Sequence, residues 1–288
     1  MSTLPTISIV TCSYQQAKFL GFTLRSVIDQ QYPSLEYIVV DGCSTDGSVA
    51  VIEHFSKFLA HHVSERDKGQ SEALNKGLRL SKGEIVGWLC SDDLLLPGSL
   101  EAVAKYFAAN PTVDAVYGDA ILIDATGVVQ RAKREMGFSP FTLLYDHNYI
   151  PQPSMFWRRR LMQDVGLLDE TLHLSMDADY WLRFAKNGLV RHMPVLLSCM
   201  RMHKSQKVFI DRAGVFRESE SLRDQYANVS TSSVSGRFLR GYARVYRVIR
   251  RFLESGYDYS VPKDVQVWLQ SLHCSEGYIE PSDCVSSK

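Results

Sequence analysis

The sequence predicts an α/β fold in which a mostly parallel central sheet is flanked by helices. Through the first 109 positions, short apolar runs rich in β-branched residues alternate with helical segments of ten or more residues. Several of these runs end abruptly in polar loops, as strands do at the carboxyl edge of a parallel sheet. The last part of the chain has a helical pattern instead, so we also expect a C-terminal helical extension.

The first half contains the clearest elements. The β-branched run at 7–10 indicates a strand, and apolar residues with helical spacing follow it at 17–30. Three more alternations of the same kind come next. They predict strands at 7–10, 35–40, 61–64 and 85–89, and helices at 17–30, 48–59, 71–80 and 100–109.

The second half is less regular. Residues 113–124 have the pattern of two short strand pieces around Gly118 and Asp119, and 131–146 that of a long connection. Further along, we expect strands at 155–157 and 195–202 and helices at 158–165 and 179–186.

Composition excludes several classes of protein. Lys and Arg together number 32, as do Asp and Glu, so the charge balance argues against nucleic acid as a partner. The six cysteines have no CxxC spacing, which indicates mostly buried thiols in a reducing compartment. There is no signal-peptide pattern and no apolar run near the roughly 20 residues of a membrane span. We therefore expect a cytoplasmic protein.

The tail contains a basic amphipathic helix at 235–253. Apolar residues recur at helical spacing from Phe238 to Phe252, and arginines such as Arg240 and Arg247 fall opposite them. Two interpretations remain open for this segment. The helix packs on the body with its arginine face in solvent, or it makes a peripheral contact with an anionic membrane.

Four polar loops follow the four predicted parallel strands, at 11–14, 41–48, 65–70 and 91–93. In a parallel sheet they meet at one edge, where they can surround the base, ribose and phosphates of a nucleotide. The last loop holds two adjacent carboxylates, Asp92 and Asp93, which suit a hard divalent cation. No GxGxxG and no GxxxxGK[ST] occurs, so neither a dinucleotide fold nor a P-loop is predicted.

Together these motifs resemble those of family 2 glycosyltransferases, which have a GT-A fold. The resemblance rests on the turn ending at Tyr14, the segment DGCSTDGS at 41–48 and the acidic pair at 92–93. It continues in DADYWLR at 177–183 and in RMH at 201–203. Gly42 occupies a position where many relatives have a second Asp, and Ser91 replaces the first Asp of a strict DxD motif. The resemblance is closest to soluble bacterial enzymes that build surface polysaccharides.

The resemblance implies a GT-A domain at 1–210 and a helical extension at 211–288. Within the domain, about 1–124 would bind the nucleotide-sugar and about 125–210 the acceptor. It also implies the residues that contact the nucleotide-sugar, which are Thr11, Ser13, Tyr14, Asp41, Asp67, Lys76, Asp92 and Arg201. In this assignment the first three line the base pocket and Asp41 accepts a hydrogen bond from the base, usually uracil. Asp67 lies near the base or ribose, and Asp92 contacts the ribose.

A divalent cation, Mn²⁺ or Mg²⁺, is the implied cofactor. Asp93 would bind it between the two phosphates of the donor, with His203 as a second ligand. An imidazole ligand favours Mn²⁺ over Mg²⁺. Lys76 or Arg201 would assist by neutralising charge on the leaving diphosphate.

Asp177 matches the catalytic carboxylate of the family motif, and Asp179 is the alternative. A single general base acting in line with the leaving group predicts inversion at the anomeric carbon.

The leading hypothesis is therefore an inverting, metal-dependent glycosyltransferase. It would move a sugar from a nucleotide-diphosphate sugar, with UDP as the expected nucleotide, to a glycan or lipid-linked oligosaccharide. Two alternatives remain, a nucleotidyltransferase and a non-catalytic nucleotide-sugar-binding protein.

Overall fold

A computed structural model describes residues 4–274 of the chain, apart from 228, 231 and 255. The end of the predicted extension, 275–288, lies outside the described residues. Within them the strands are β1 (Ile7–Ser13), β2 (Leu35–Asp41), β3 (His61–Ser64), β4 (Ile85–Cys90), β5 (Leu94–Leu95), β6 (Ala115–Asp124), β7 (Val129–Lys133), β8 (Met155–Arg158) and β9 (Val190–Met202). The helices are α1 (Ala17–Ile28), α2 (Ser48–Phe55), α3 (Gln70–Leu80), α4 (Ser99–Ala109), α5 (Pro140–Tyr145), α6 (Arg159–Val165), α7 (Met176–Asn187), α8 (Lys207–Ile210), α9 (Arg212–Tyr226), α10 (Val234–Leu253) and α11 (Lys263–Cys274).

The strands form one mixed sheet in the order β3-β2-β1-β4-β8-β6-β9-β5, with β7 paired to β6. The pairs β3–β2, β2–β1, β1–β4 and β6–β9 are parallel, whereas β8 is antiparallel to both of its neighbours. The α/β class with flanking helices is thus confirmed. The parallel part at β3-β2-β1-β4 brings the four predicted polar loops to a single edge.

Both faces of the sheet are covered, because alternate side chains of each strand point to opposite sides. On one face Ile9 and Val39 pack with α1, α2 and α4. On the other, Val10 and Val40 pack with α3, and the same cluster extends to the aromatic residues of α7. Buried on both faces, strands β1, β2 and β4 contain almost continuous apolar runs, as parallel strands commonly do.

Three predictions for the second half are corrected. β6 is one ten-residue strand and not two pieces, with an irregular register to β9 beside Gly118. At that position a Cβ would lie 2.6 Å from the side chain of Leu197. The stretch predicted as a long connection contains most of β7 and all of α5, and β9 begins at Val190.

The basic amphipathic helix is present as α10, but its orientation differs from the predicted one. Its arginine side faces the body, where Arg240 bonds to Glu220 and Arg247 to Asp146. Its apolar side, including Phe238 and Phe252, is exposed. The interpretation with arginines in solvent is therefore wrong for most of them. No helix in the described part of the chain is long and apolar enough to cross a membrane.

Candidate active site

A cavity of about 970 Å³ opens at the carboxyl edge of β1, β2, β3 and β4. The strand register explains its position, since Ser13 pairs with Asp41, Asp41 with Ser64, and Cys12 with Cys90. Its walls come from all four loops and from the segment after β9. Among the lining residues are Ser13, Tyr14, Gly42, Cys43, Arg66, Asp67, Gln70, Cys90, Ser91, Asp92, Asp93, Gln206 and Lys207.

The loop after β1 presents two of its three predicted residues to the cavity. Ser13 and Tyr14 line the wall, and Tyr14 is 62% exposed, so its ring is accessible to a base. Thr11 is buried in the sheet, where its hydroxyl lies 3.1 Å from the hydroxyl of Tyr37. The structure therefore places the Thr11 side chain outside the predicted base pocket.

Asp41 is fully buried and does not line the cavity. Its Oδ1 accepts a hydrogen bond from Ser44 Oγ at 2.6 Å. Its Oδ2 accepts bonds from Ser44 N and Ser64 Oγ, both at 2.8 Å. These bonds tie the turn after β2 to the end of β3. In the structure Asp41 is an anchor of that turn.

The carboxylate of Asp67 occupies the space above Gly42. A Cβ at position 42 would lie 2.7 Å from Asp67 Oδ2 and 3.2 Å from a ring carbon of Tyr14. The other oxygen, Oδ1, accepts a hydrogen bond from Gly69 N at 2.9 Å, which fixes the carboxylate in that place. Glycine at 42 thus makes room for Asp67 beside the Tyr14 ring.

Asp92 and Asp93 are both buried at the cavity floor. Asp92 Oδ2 accepts hydrogen bonds from His203 Nε2 and Gln206 Nε2, each at 3.0 Å. Asp93 Oδ1 accepts one from Arg201 N at 2.9 Å. Burial, and then repulsion by Asp92, raises the pKa of Asp93 well above its ordinary value of 3.8.

A divalent cation fits this arrangement. Ligand atoms of Cys90, Asp92 and Asp93 lie within 4.8 Å of one another, and the two buried carboxylates are close enough to repel. Carboxylate oxygens are the ligands that Mg²⁺ and Mn²⁺ prefer. Cys90 was not among the predicted ligands. Its thiol contacts Gln70, at the end of the predicted polar loop 65–70, at 3.4 Å and Gln152 at 3.3 Å.

His203 adjoins this group but bonds to Asp92 and not to Asp93. The carboxylate can only accept, so the ring donates from Nε2. The ring packs on Phe19 with 4.7 Å between centroids. His203 does not line the cavity, so the structure gives it the position of a residue that orients Asp92.

Neither predicted phosphate-neutralising cation lines the cavity. Arg201 is 1% exposed, and its Nε donates to the carbonyl of Asp92 at 2.9 Å, beneath the acidic loop. Lys76 is paired with Glu65 at 2.8 Å and with Glu72 at 3.5 Å. In the part of the chain that the structure describes, the basic residues that line the cavity are Arg66 and Lys207.

Asp177 and Asp179 both lie in the first turn of α7, in different environments. Asp179 is paired with Arg183 at 2.7 Å and accepts a hydrogen bond from the Tyr226 hydroxyl at 2.6 Å. Asp177 is partly buried and accepts bonds from Asn148 Nδ2 at 2.7 Å and from Ala178 N at 2.8 Å. Burial outweighs these bonds and raises the pKa of Asp177 to about 6.

Two contacts place the start of α7 next to the cavity. Ser71 Oγ donates to Leu172 O at 2.9 Å and contacts Met176 Sδ at 3.2 Å, and the neighbouring Gln70 lines the cavity.

From α9, the carboxylate of Glu218 accepts hydrogen bonds from three consecutive backbone amides at 173–175. Sequence reasoning missed Glu218, because its partners are backbone groups more than 40 positions away.

Comparison with known proteins agrees with this geometry. Residues 8–166 match the family profile described as Glycosyl transferase family 2, which is more than half of the chain. The chain belongs to glycosyltransferase family 2. It is therefore a glycosyltransferase, as the sequence motifs predicted.

Two relatives illustrate the range of this glycosyltransferase family. An uncharacterised glycosyltransferase of Rickettsia typhi is 28% identical over 211 residues, which are 70% of this chain and 65% of the relative. This glycosyltransferase thus spans slightly less than two thirds of that protein. The putative teichuronic acid biosynthesis glycosyltransferase TuaG of Bacillus subtilis is 37% identical over 105 residues, 35% of this chain and 42% of TuaG.

Among solved structures, S. aureus TarS 1–349 in complex with UDP has a TM-score of 0.61 at 17% identity, over 93% of this chain and 78% of that one. Mannosyltransferase PcManGT from Pyrobaculum calidifontis, in complex with GDP-Man and Mn²⁺, has a TM-score of 0.55 at 18% identity. The match covers 95% of this chain and 71% of PcManGT. These likenesses confirm the GT-A fold.

Proposed function

We propose that this glycosyltransferase transfers a sugar from a UDP-sugar to a hydroxyl of a glycan or lipid-linked oligosaccharide, with inversion and with the help of a divalent cation. The observation that carries the proposal is one cavity and its surroundings, which combine three features. A base-sized wall is formed by Tyr14 and Asp67, and a buried acidic pair lies at the floor. The third feature, the carboxylate of Asp177 with its raised pKa, does not line the cavity; it lies at the start of α7, where Met176 contacts Ser71 next to the lining residue Gln70.

The base is recognised by the Tyr14 ring and the Asp67 carboxylate. The exposed ring offers a stacking surface, and a carboxylate accepts a hydrogen bond from an imide N–H such as that of uracil. Asp67, in the space that Gly42 leaves open, takes the acceptor role that the motif assigns to Asp41. The UDP complex of TarS, a structure of the same fold, supports UDP as the nucleotide.

Asp93 and Asp92 would hold the cation. When bound, the cation would neutralise negative charge on the leaving diphosphate. The chain's own residues prepare the site: Arg201 holds the backbone of the acidic loop, while His203 and Gln206 fix the Asp92 side chain. Arg66 and Lys207 lie on the cavity wall, where they can attract the phosphates. The Mn²⁺ complex of PcManGT supports the choice of Mn²⁺.

Asp177 is the general base. A carboxylate with a pKa near 6 is ionised at neutral pH and is more basic than an ordinary one, so it accepts the proton of an attacking hydroxyl more readily. Asp179 is already engaged with Arg183 and Tyr226, which leaves it the role of holding α7 in place. A single general base that acts in line with the leaving group corresponds to inversion.

For the acceptor, we propose a component of a cell-surface polysaccharide. TuaG, the 37%-identical relative, is named for teichuronic acid biosynthesis, and this name supports an acceptor of that class.

The test is release of nucleoside diphosphate from nucleotide-sugars incubated with the protein and Mn²⁺. We expect slow hydrolysis of a UDP-sugar in the absence of acceptor, lost by at least about 100-fold in Asp93→Asn. Glu101→Gln, which changes an exposed acid in α4, is the matched control and should keep the activity.

Two outcomes would contradict the proposal. Release of pyrophosphate from a nucleoside triphosphate would assign a nucleotidyltransferase. Absence of turnover together with nucleotide-sugar binding that does not respond to divalent cations would assign a non-catalytic binding protein.

A further inference from the structure

Helix α10 presents a continuous apolar face to solvent. Phe238 and Phe252 are each 76% exposed, and Tyr242 and Ile249 between them are more than half exposed. At about 1.5 Å per residue, the 20-residue helix makes this face roughly 30 Å long. The exposed apolar residues of the face, called here the outer face, are Val234, Phe238, Tyr242, Val245, Val248, Ile249, Phe252 and Leu253.

The opposite side of α10 is fixed to the body by ion pairs. Arg240 bonds to Glu220 of α9 at 2.9 Å, and Arg247 bonds to Asp146 at 2.5 Å. Burial opposes ionisation of Asp146, but hydrogen bonds from His147 and Arg247 outweigh it and hold its pKa below the ordinary value. The arginines therefore have ionised partners inside the protein, and the outer face is held outward by specific contacts.

Two further contacts hold the end of the helix. Arg251 donates to the carbonyl of Arg134 at 2.9 Å and lies 3.6 Å from Glu135. Gly236 and Ala243, on the body side, are small enough to let the helix backbone approach the surface. The helix cannot turn over to bury its outer face without breaking these contacts.

The outer face has a positively charged border. Arg237 and Arg244 lie along one edge of it and are exposed, Arg244 by 73%, although Arg244 Nε also lies 3.6 Å from Asp146 Oδ1. From Val234 to Leu253 the helix contains six arginines and no acidic residue. An exposed apolar stripe bordered by arginine matches the boundary between the headgroups and acyl chains of an anionic bilayer. An apolar protein partner would not require the arginines.

We propose that the outer face of α10 lies in the surface of an anionic membrane, with the helix parallel to the bilayer. The apolar side chains enter the acyl boundary, and Arg237 and Arg244 contact anionic headgroups. In this arrangement the apolar side of α10 meets the membrane, and most of its arginines stay on the body. The inference goes beyond the proposed reaction and does not depend on it.

The orientation has a measurable consequence. Contact through six arginines would disappear at high salt, because exposed charges are screened. Contact through the outer face depends mainly on apolar area, so most of it should persist when salt is raised. The salt dependence of membrane binding, and the effect of replacing apolar side chains or arginines, therefore distinguish contact through the outer face from contact through the arginines.

The experiment is flotation of the full chain with vesicles of phosphatidylcholine and phosphatidylglycerol. We expect wild type to float and Phe238→Ser/Phe252→Ser to bind at least about tenfold less. Phe58→Ser/Val128→Ser, which removes two exposed apolar side chains outside α10, should float like wild type. Equal thermal midpoints of both double variants would show that the loss is not due to unfolding.

Arg237→Gln/Arg244→Gln should weaken flotation a few-fold on anionic vesicles and leave the weaker binding to pure phosphatidylcholine unchanged. Equal flotation of the Phe238→Ser/Phe252→Ser variant and wild type would overturn the proposal. A second result would also overturn it. If light scattering showed a wild-type dimer that dissociates in this variant, and neither protein bound vesicles, a second copy of the chain would be what covers the outer face.

Discussion

Replacing Asp177 by Asn should separate catalysis from stability. Burial raises the pKa of this carboxyl from 3.8 to about 6, so at neutral pH the folded protein carries a carboxylate that it disfavours. A shift of about two pH units corresponds to roughly 3 kcal/mol, an upper figure for a partly buried group. Asn keeps the shape, can still contact Asn148, and has no charge to desolvate.

The sign of the effect is opposite for stability and activity. Because the folded-state pKa is raised, Asp177 favours folding below pH 4 and its contribution is lost as the pH rises through 6. At pH 8 we therefore expect Asp177→Asn to be as stable as wild type or up to about 2 kcal/mol more stable. Its transfer rate should fall by about 10²–10⁴-fold, the usual range for loss of a general base.

The assay combines urea unfolding at pH 8 with the pH profile of sugar transfer. Wild type should lose activity below an apparent pKa near 6, and that limb should vanish from the residual rate of Asp177→Asn. Asp179→Asn is the control and should instead lose about 2 kcal/mol, because Arg183 loses its buried partner. An Asp177→Asn protein that transfers sugar at the wild-type rate, or an acidic limb near pH 4, would refute the assignment.

The remaining predictions concern the base wall and the approach to α7. Gly42→Ala should weaken UDP binding about tenfold in calorimetry, because its Cβ would displace the Asp67 carboxylate, 2.7 Å away; unchanged affinity would remove Asp67 from the base site. Glu218→Ala should lower the free energy of unfolding by about 2 kcal/mol in urea, since three backbone amides lose their acceptor. It should also slow transfer more than it weakens UDP binding, and an equal loss in both would contradict its action through α7.

Strands β1–β4 and helices α1–α4 were predictable from local sequence patterns, whereas the two-residue strand β5 was not predicted. The missed elements lack such patterns. β7, with the sequence VQRAK, is a half-exposed strand with few apolar residues, and α5 has only six residues after the cap Ser139. Their conformations depend on pairing with β6 and packing against α10, which local sequence does not encode.

The sequence motifs predicted where the site lies, but they did not predict the direction in which each side chain points. Thr11 and Asp41 lie in strands whose register sends their side chains into the protein, so they support the cavity from behind. Asp67 could be placed near the base, but its fit above Gly42 is visible only in three dimensions. The orientation of α10 was also unpredictable, since an amphipathic pattern defines two faces without saying which one meets the protein. Acidic partners far along the chain, Glu220 and Asp146 among them, decide it.

Calorimetric titration of UDP, with Mn²⁺ and then with EDTA, tests most directly whether acids from separate loops form one donor site. We expect the UDP affinity of the wild type to fall at least about tenfold when EDTA replaces Mn²⁺. With Mn²⁺ present, the affinity of Asp93→Asn should be as low as that of the wild type in EDTA. Equal UDP affinity in Mn²⁺ and EDTA, or an Asp93→Asn protein that still responds to Mn²⁺ like wild type, would contradict the account.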